Sequence, residues 1–288
     1  MLQRMRRFYS ALSIHYSIAS TTTRAMTTTT TSPTTKALPI AAIAQLRSTS
    51  NKLENLINVS KCARMANEQG ASILFLPECF GFMSGSTAQT STLMNAEQPI
   101  EVDQSQNSDE VTTILSKTVQ NAFEKEDVKD FTNGEDTSQI ALLDGLRTIA
   151  CESKLWISAG GMHCRGAPPN EAGEERVYNT HIIMDDSGDL KAVYRKIHLF
   201  DVTIPGKVNL QESKTTAPGT KLVVCDSPIG KLGLSTCYDM RFPEMYEQMV
   251  RAGAQVLLAP SAFTVPTGKA HWHTLLKGKL GIIDVSKH

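Results

Sequence analysis

Gly233-Leu234-Ser235-Thr236-Cys237-Tyr238-Asp239-Met240-Arg241-Phe242-Pro243-Glu244 reads as the end of an apolar strand, then a thiol, a charged turn and the start of a helix. The carboxyl end of a strand, where a turn leads into a helix, is where an α/β fold presents reactive groups. Two other segments share that grammar. Leu76-Pro77-Glu78-Cys79-Phe80 sets a carboxylate at a second strand end, and Tyr194-Arg195-Lys196-Ile197-His198-Leu199-Phe200-Asp201 sets a cation at a third. Cysteine, glutamate and lysine from three separate strands form the set that amide hydrolysis by a thiol needs.

The chemistry follows from the residue types. A free thiol is mostly protonated at neutral pH, and a nearby cation and base raise its thiolate fraction. Lys196 supplies the cation and Glu78 takes the proton. Attack on an amide carbonyl creates an oxyanion, for which the lysine ammonium and the backbone N–H of Tyr238 are suitable donors; one such donor is worth about 10²–10³ in rate. Protonated Glu78 returns the proton to the leaving amine, and the same carboxylate activates the water that cleaves the thioester. Taken singly, each residue has an ordinary reading: Cys237 a small core thiol, Glu78 a cap or ion-pair carboxylate, Lys196 a solvated charge. Jointly, each with its own flanking residues, they argue for a site. His198 and His271 raise a Cys/His protease reading, which is set aside because neither has a companion Asn or Asp in a recognisable context.

Composition narrows the class. The chain has 288 residues, enough for one large domain or two small ones, and its net charge is zero. That balance does not call for nucleic acid or an anionic membrane surface. No run of apolar residues is long enough for a spanning helix. Cys62, Cys79, Cys151, Cys164, Cys225 and Cys237 are scattered, without CxxC or Cys/His metal spacing. No metal and no cofactor is expected, and the thiols read as reduced.

No Asp or Glu precedes Glu54, and Arg4, Arg6, Arg7 and Arg24 punctuate a Ser/Thr-rich stretch. That is the composition of an organelle transit peptide, so residues 1–37 are expected to be a mitochondrial (or other organelle) leader and a Thr-rich linker. Met26 offers a second start for a cytosolic form. Strands are expected over Leu38–Leu46, Ser72–Leu76, Leu155–Ala159, Asn179–Asp185, Leu190–Arg195, Leu222–Cys225, Leu232–Thr236 and Gln255–Leu258. Helices are expected over Asn51–Gln69, Gln139–Ser153, Pro243–Ala252 and His271–Lys277, and weakly over Val119–Lys125. The polar stretch 84–138 reads as an insertion, a lid or a partner-binding loop. Alternating strands and helices with hairpins argue α/β with mixed sheets.

The Glu78, Lys196 and Cys237 segments, in that order, resemble the carbon–nitrogen hydrolase (nitrilase) superfamily, Nit branch. The similarity spans 38–277 and extends to Gln211-Glu212-Ser213, Pro260-Ser261-Ala262-Phe263-Thr264 and Thr267-Gly268-Lys269-Ala270-His271-Trp272. The resemblance implies a four-layer α-β-β-α sandwich, a homodimer where the fold is complete, and no cofactor. It implies Glu78 as general base, Lys196 as oxyanion stabiliser, Cys237 as nucleophile and Glu212 as a second glutamate positioning Lys196 and substrate. Phe263 and Thr267 match pocket-lining positions. The implied activity is hydrolysis of deaminated glutathione to 2-oxoglutarate and cysteinylglycine, with omega-amidase action on 2-oxoglutaramate or 2-oxosuccinamate as the alternative. Either substrate is a small 2-oxo acid amide, and Arg241 is the natural carboxylate clamp, because guanidinium pairs bidentately with carboxylate. The other reading of Arg241 is a salt bridge with Asp239 or Glu244.

The resemblance lapses after Lys277, where Gly278 to His288 replaces an expected helix and further strands. Gly278 and Gly281 are expected to break the helix, each costing about 1 kcal/mol relative to alanine. The expectation is a chain truncated relative to its family, a shortened isoform or a mis-spliced product. A non-catalytic relative with a binding role is then the second class of function.

Overall fold

The computed structural model describes residues 14–15, 38–83, 92–93, 95–101, 141–204 and 208–285. The strands are β1 (Ile14–His15), β2 (Ile40–Ala44), β3 (Ala71–Leu76), β4 (Trp156–Cys164), β5 (Tyr178–Met184), β6 (Leu190–Arg195), β7 (Asp201–Ile204), β8 (Val208–Gln211), β9 (Val224–Cys225), β10 (Leu232–Leu234) and β11 (Val256–Leu258). The helices are α1 (Lys52–Glu68), α2 (Leu142–Ser153), α3 (Pro243–Arg251) and α4 (Val265–Val285), with 3-10 turns at Glu212–Lys214 and Cys237–Arg241. Six strands form one sheet in the order β1-β2-β3-β4-β5-β6, parallel from β2 to β4 and antiparallel elsewhere. β11-β10-β9 form a second sheet, with β10 parallel to β11, and β7-β8 a separate hairpin.

Side-chain alternation along the large sheet explains the layers. In β3, Leu74 and Leu76 join a core with Leu56 and Val59 of α1 and Leu146 and Ile149 of α2. Ile73, one residue out of phase, belongs to a second core with Leu232 and Leu234 of β10 and Met245 and Tyr246 of α3. Successive strand side chains point to opposite faces, so this sheet is buried on both sides and its strands read as nearly continuous apolar runs. The order is helices α1 and α2, large sheet, small sheet, helices α3 and α4, which is the four-layer mixed α/β arrangement expected.

Helix α1 begins where Asn51 accepts a hydrogen bond from Glu54 N–H at 2.9 Å and ends before Gly70 at φ +74°, an N-cap and a left-handed stop. Two expectations are corrected. The strand expected over Leu155–Ala159 continues to Cys164, because the register shift between Ala159 and Met162 absorbs Gly160-Gly161 as a bulge. The short helix expected over His271–Lys277 runs from Val265 to Val285, through Gly278 and Gly281. Thr264 starts it, its carbonyl accepting from Gly268 N–H at 2.8 Å. Glycine propensity is a weak prior of about 1 kcal/mol, too small to stop a helix already anchored by Trp272 and Leu275 in the second core.

Several described residues fasten the polar stretch 84–138: Arg165 donates to Leu93 O, Ile100 is buried in the first core, Arg195 pairs with Glu101, and Glu97 makes the most contacts. Glu97 is buried, its carboxylate holding Lys52 Nζ at 2.8 Å and accepting from Leu142 N–H at 2.9 Å, the first residue of α2. Its backbone also bonds His163 and Arg165 beside β4. The helix expected over Val119–Lys125, the leader apart from Ile14–His15, and the start at Met26 lie outside the described residues.

Candidate active site

Three strand ends converge. β3 runs out into Pro77 and Glu78, β6 into Lys196, and β10 into Ser235, Thr236 and Cys237. Glu78 and Lys196 are 7% and 2% exposed, so neither keeps the ordinary surface reading. Lys196 Nζ lies 3.6 Å from Glu78 Oε1 and donates to both Glu212 oxygens, at 3.0 and 2.9 Å. One buried cation thus sits between two carboxylates. Burial would push the Lys196 ammonium down, but Glu78 and Glu212 outweigh it and hold its pKa above the usual lysine value.

Glu78 is itself fixed from three sides. Asn179 Nδ2 donates to Oε1 at 3.0 Å, and Ala262 N–H donates to Oε2 at 2.8 Å. Behind it lies Gly161 at φ +66°, where a Cβ would stand 2.5 Å from Glu78 Cγ. Only glycine lets the bulge of β4 approach the carboxylate's stem so closely. Glu212, on its 3-10 turn, also accepts from Phe200 N–H at 2.7 Å.

Cys237 adopts φ +48° and its N–H donates to Pro260 O at 2.9 Å. Its thiol lies within the electrostatic influence of Glu78 and Lys196. Burial raises the thiol's pKa first, Glu78 raises it further, and Lys196 lowers it without prevailing. The sequence reading expected an enhanced thiolate fraction. In the structure the shift runs the other way, because desolvation disfavours the charged form and the Glu78 carboxylate adds to it.

The remaining expected residues divide. Tyr238 packs edge-on against Phe200 and Phe242, at 5.1 and 5.8 Å between centroids, and its N–H lies in the first turn of a 3-10 helix, where amides lack intrahelical partners. Arg241 is exposed, its guanidinium 5.6 Å from the Tyr238 ring centroid. The alternative salt bridge to Asp239 is not formed, since Asp239 is wholly buried on other partners. Phe263 packs edge-on against Trp272 at 5.4 Å. Thr267 hydroxyl is tied back to Thr264 at the start of α4, at 2.8 Å between hydroxyls.

Some participants were not found by sequence reasoning. Asn179 was read only as the start of a strand, yet it joins Glu78 to Glu212, and its carbonyl accepts from Lys196 N–H at 2.8 Å. Its signal was an amide in the polar first half of a strand, Tyr178-Asn179-Thr180-His181, that ends in Ile182-Ile183-Met184. His163 stands near the same charges, its pKa pushed down by burial against the pull of Glu212 and Glu78. His198 does have a companion carboxylate, which the sequence reading denied: its Nδ1 lies 2.8 Å from Asp239 Oδ1. The protease reading still fails, because the groups acting on the Cys237 thiol are Glu78 and Lys196. Among the described residues no three His, Cys, Asp or Glu side chains gather as a metal site, and no helix is long and apolar enough to cross a membrane.

Residues 40–279 match the profile of the family described as Carbon-nitrogen hydrolase. The chain belongs to that family. This carbon–nitrogen hydrolase is 38% identical over 239 residues to a deaminated glutathione amidase of Dictyostelium discoideum, covering 82% of this chain and 68% of the relative. It is 33% identical over 238 residues to the omega-amidase NIT2 of Mus musculus, covering 83% and 68%. Among solved structures it resembles the C. elegans NitFhit protein with a TM-score of 0.59 and 32% identity, covering 83% of this chain and 47% of that one. The chain spans 61–68% of the length of several curated deaminated glutathione amidases that it matches.

Proposed function

We propose that this hydrolase cleaves the amide of deaminated glutathione through a thioester on Cys237. The observation that carries the reading is the single buried contact set of thiol, Glu78 and Lys196, with Glu212 closing the far side of the lysine. Sulfur attacks the amide carbonyl while its proton passes to Glu78. Lys196 and the Tyr238 N–H receive the oxyanion. Glu78 then protonates the nitrogen of the departing amine, the C–N bond breaks, and the acyl group remains on sulfur. Water, deprotonated by Glu78, adds to the thioester; the C–S bond breaks, the proton returns to sulfur, and the acid leaves. No redox partner or cofactor enters the balance.

The substrate assignment is supported by the greater similarity to a deaminated glutathione amidase than to an omega-amidase. Exposed Arg241, beside Tyr238, provides a guanidinium for the 2-oxo acid carboxylate. The leader-like amino terminus supports delivery to mitochondria.

The test measures 2-oxoglutarate, the product common to both substrates, released from deaminated glutathione and from 2-oxoglutaramate by the protein and by Cys237→Ala. Release that vanishes in the variant, with the higher kcat/KM on deaminated glutathione, is the expected result. A higher value on 2-oxoglutaramate selects the omega-amidase reading. No release from folded protein selects a binding role.

A further inference from the structure

Asp239 is a fully buried carboxylate two residues beyond the nucleophile, and the hydrolytic steps above give it no part. It has four donors. Oδ2 accepts from Tyr194 hydroxyl at 2.6 Å and from Thr236 N–H at 2.8 Å. Oδ1 accepts from His198 N–H at 2.9 Å and lies 2.8 Å from His198 Nδ1. Tyr194 hydroxyl in turn accepts from Ile197 N–H at 3.1 Å. The His198 ring is stacked flat on Phe242, 3.6 Å between centroids.

The positions of those donors matter more than their number. Ile197 and His198 N–H groups belong to the two peptides that follow Lys196. Thr236 N–H belongs to the peptide that precedes Thr236, one residue short of the nucleophile. One carboxylate therefore ties the segment carrying the cation to the segment carrying the thiol, and among the described residues no strand pairing joins β6 to β10 directly. Cys237 meanwhile sits at φ +48°, a left-handed conformation that a non-glycine residue keeps only where its surroundings over-determine it.

We infer that Asp239, with Tyr194 and His198, is a positioning clamp that fixes Lys196 relative to Cys237. It touches no reacting atom; it acts by holding the backbone beside the two reacting side chains in one frame. Buried networks with every member satisfied are the ones that rigidify and specify a single arrangement. The inference rests on the proposed roles of Lys196 and Cys237, so its test needs a readout that does not require turnover.

Two changes loosen the clamp from outside the carboxylate. Tyr194→Phe removes one donor to Asp239 and the acceptor for Ile197 N–H. His198→Phe keeps a ring to stack on Phe242 but removes the Nδ1 donor, while His198→Asn restores a donor near the Nδ1 position and gives up the stacking. For each, alkylation of Cys237 by iodoacetamide at neutral pH is followed by site-resolved mass spectrometry, alongside urea unfolding and steady-state kinetics (kcat and KM) for the release of 2-oxoglutarate. Tyr194→Phe and His198→Phe are expected to slow Cys237 alkylation and kcat by about 10- to 100-fold, the equivalent of one hydrogen bond to a charged group. KM should change little, and His198→Asn should recover most of the loss. Alkylation at the wild-type rate or faster, in protein that remains folded, overturns the clamp whether or not the amidase reading stands. A thiol that responds as expected in a protein without amidase activity supports the clamp and overturns the proposed substrate instead. Should His198→Phe fail to fold, Tyr194→Phe alone decides by the same comparison.

Discussion

Replacing Gly161 by alanine separates backbone strain from displacement of Glu78, the proposed general base. Gly161 lies at φ +66°, where an L residue pays about 1–2 kcal/mol. An added Cβ would also stand 2.5 Å from Glu78 Cγ, 3.1 Å from Glu78 Cα and 3.2 Å from Asn179 Oδ1. Carbon–carbon contact is comfortable from about 3.5 Å, so the Glu78 stem must withdraw by about 1 Å. Misplacement of a reacting group by about 1 Å costs on the order of 10²-fold in rate. Gly173 is the control: it has φ +81° and nothing within 4 Å of its added Cβ. Gly173→Ala should lose about 1–2 kcal/mol in urea unfolding with kcat unchanged. Gly161→Ala should lose at least as much stability and, in addition, about 10²-fold in kcat for 2-oxoglutarate release. Equal kcat in the two folded variants would refute the claim that this bulge sets the position of Glu78.

Three other outcomes are expected. Glu212→Gln takes from the Lys196 ammonium one of the two carboxylates that flank it; kcat should fall by on the order of 10²-fold, comparable to losing one oxyanion donor, measured in the same assay. His181 is fully buried between Ser158 hydroxyl and Ser235 carbonyl, and burial pushes its pKa down to about 4. The unfolded chain, with a histidine pKa of about 6.5, binds the extra proton first, so stability is full above about 6.5 and falls as pH drops towards 4. The loss is about 3 kcal/mol, and it should be absent from the pH dependence of His181→Asn in urea titrations. Residues 1–37 fused to a fluorescent reporter should direct it to mitochondria by microscopy, and replacing Arg4, Arg6 and Arg7 by glutamate should abolish this.

The strands and the placing of Glu78, Lys196 and Cys237 at three strand ends were legible because each follows from a local pattern. An apolar run such as Ser72–Leu76, closed by Pro77-Glu78, predicts both a buried strand and a carboxylate at its end. The partners that fix those residues were not legible, because they arrive from distant sequence. Asn179 reaches Glu78 from 101 residues away and Ala262 from 184. The pKa of Cys237 was misjudged for the same reason: adjacency of a cation suggests a lowered value, whereas burial, a property of the whole fold, raises it. The long α4 was missed because Gly278 and Gly281 were weighed by propensity alone, without the packing of Trp272 and Leu275.

Backbone strain falls at the candidate site. Three non-glycine residues have positive φ among the described residues: Cys79 at +58°, Lys154 at +52° and Cys237 at +48°. Lys154 is the C-cap of α2, an ordinary left-handed helix stop. Of the other two, Cys79 immediately follows Glu78 and Cys237 is the proposed nucleophile. Each costs about 1–3 kcal/mol, and each N–H is anchored across the site, Cys79 to Gly161 O and Cys237 to Pro260 O, both at 2.9 Å. The anchors come from the bulge of β4 and the end of β11, so the large and small sheets hold the two strained turns in place. Glycine at position 79 would relieve its strain and stabilise the chain by up to about 1 kcal/mol, as urea unfolding would record. The same change at Cys237 would remove the thiol, so there the strain has to remain. If glycine at position 79 instead destabilised the protein, the Cys79 side chain would be contributing more through its packing than its backbone conformation costs, and relief of strain would be the smaller of the two effects at that turn.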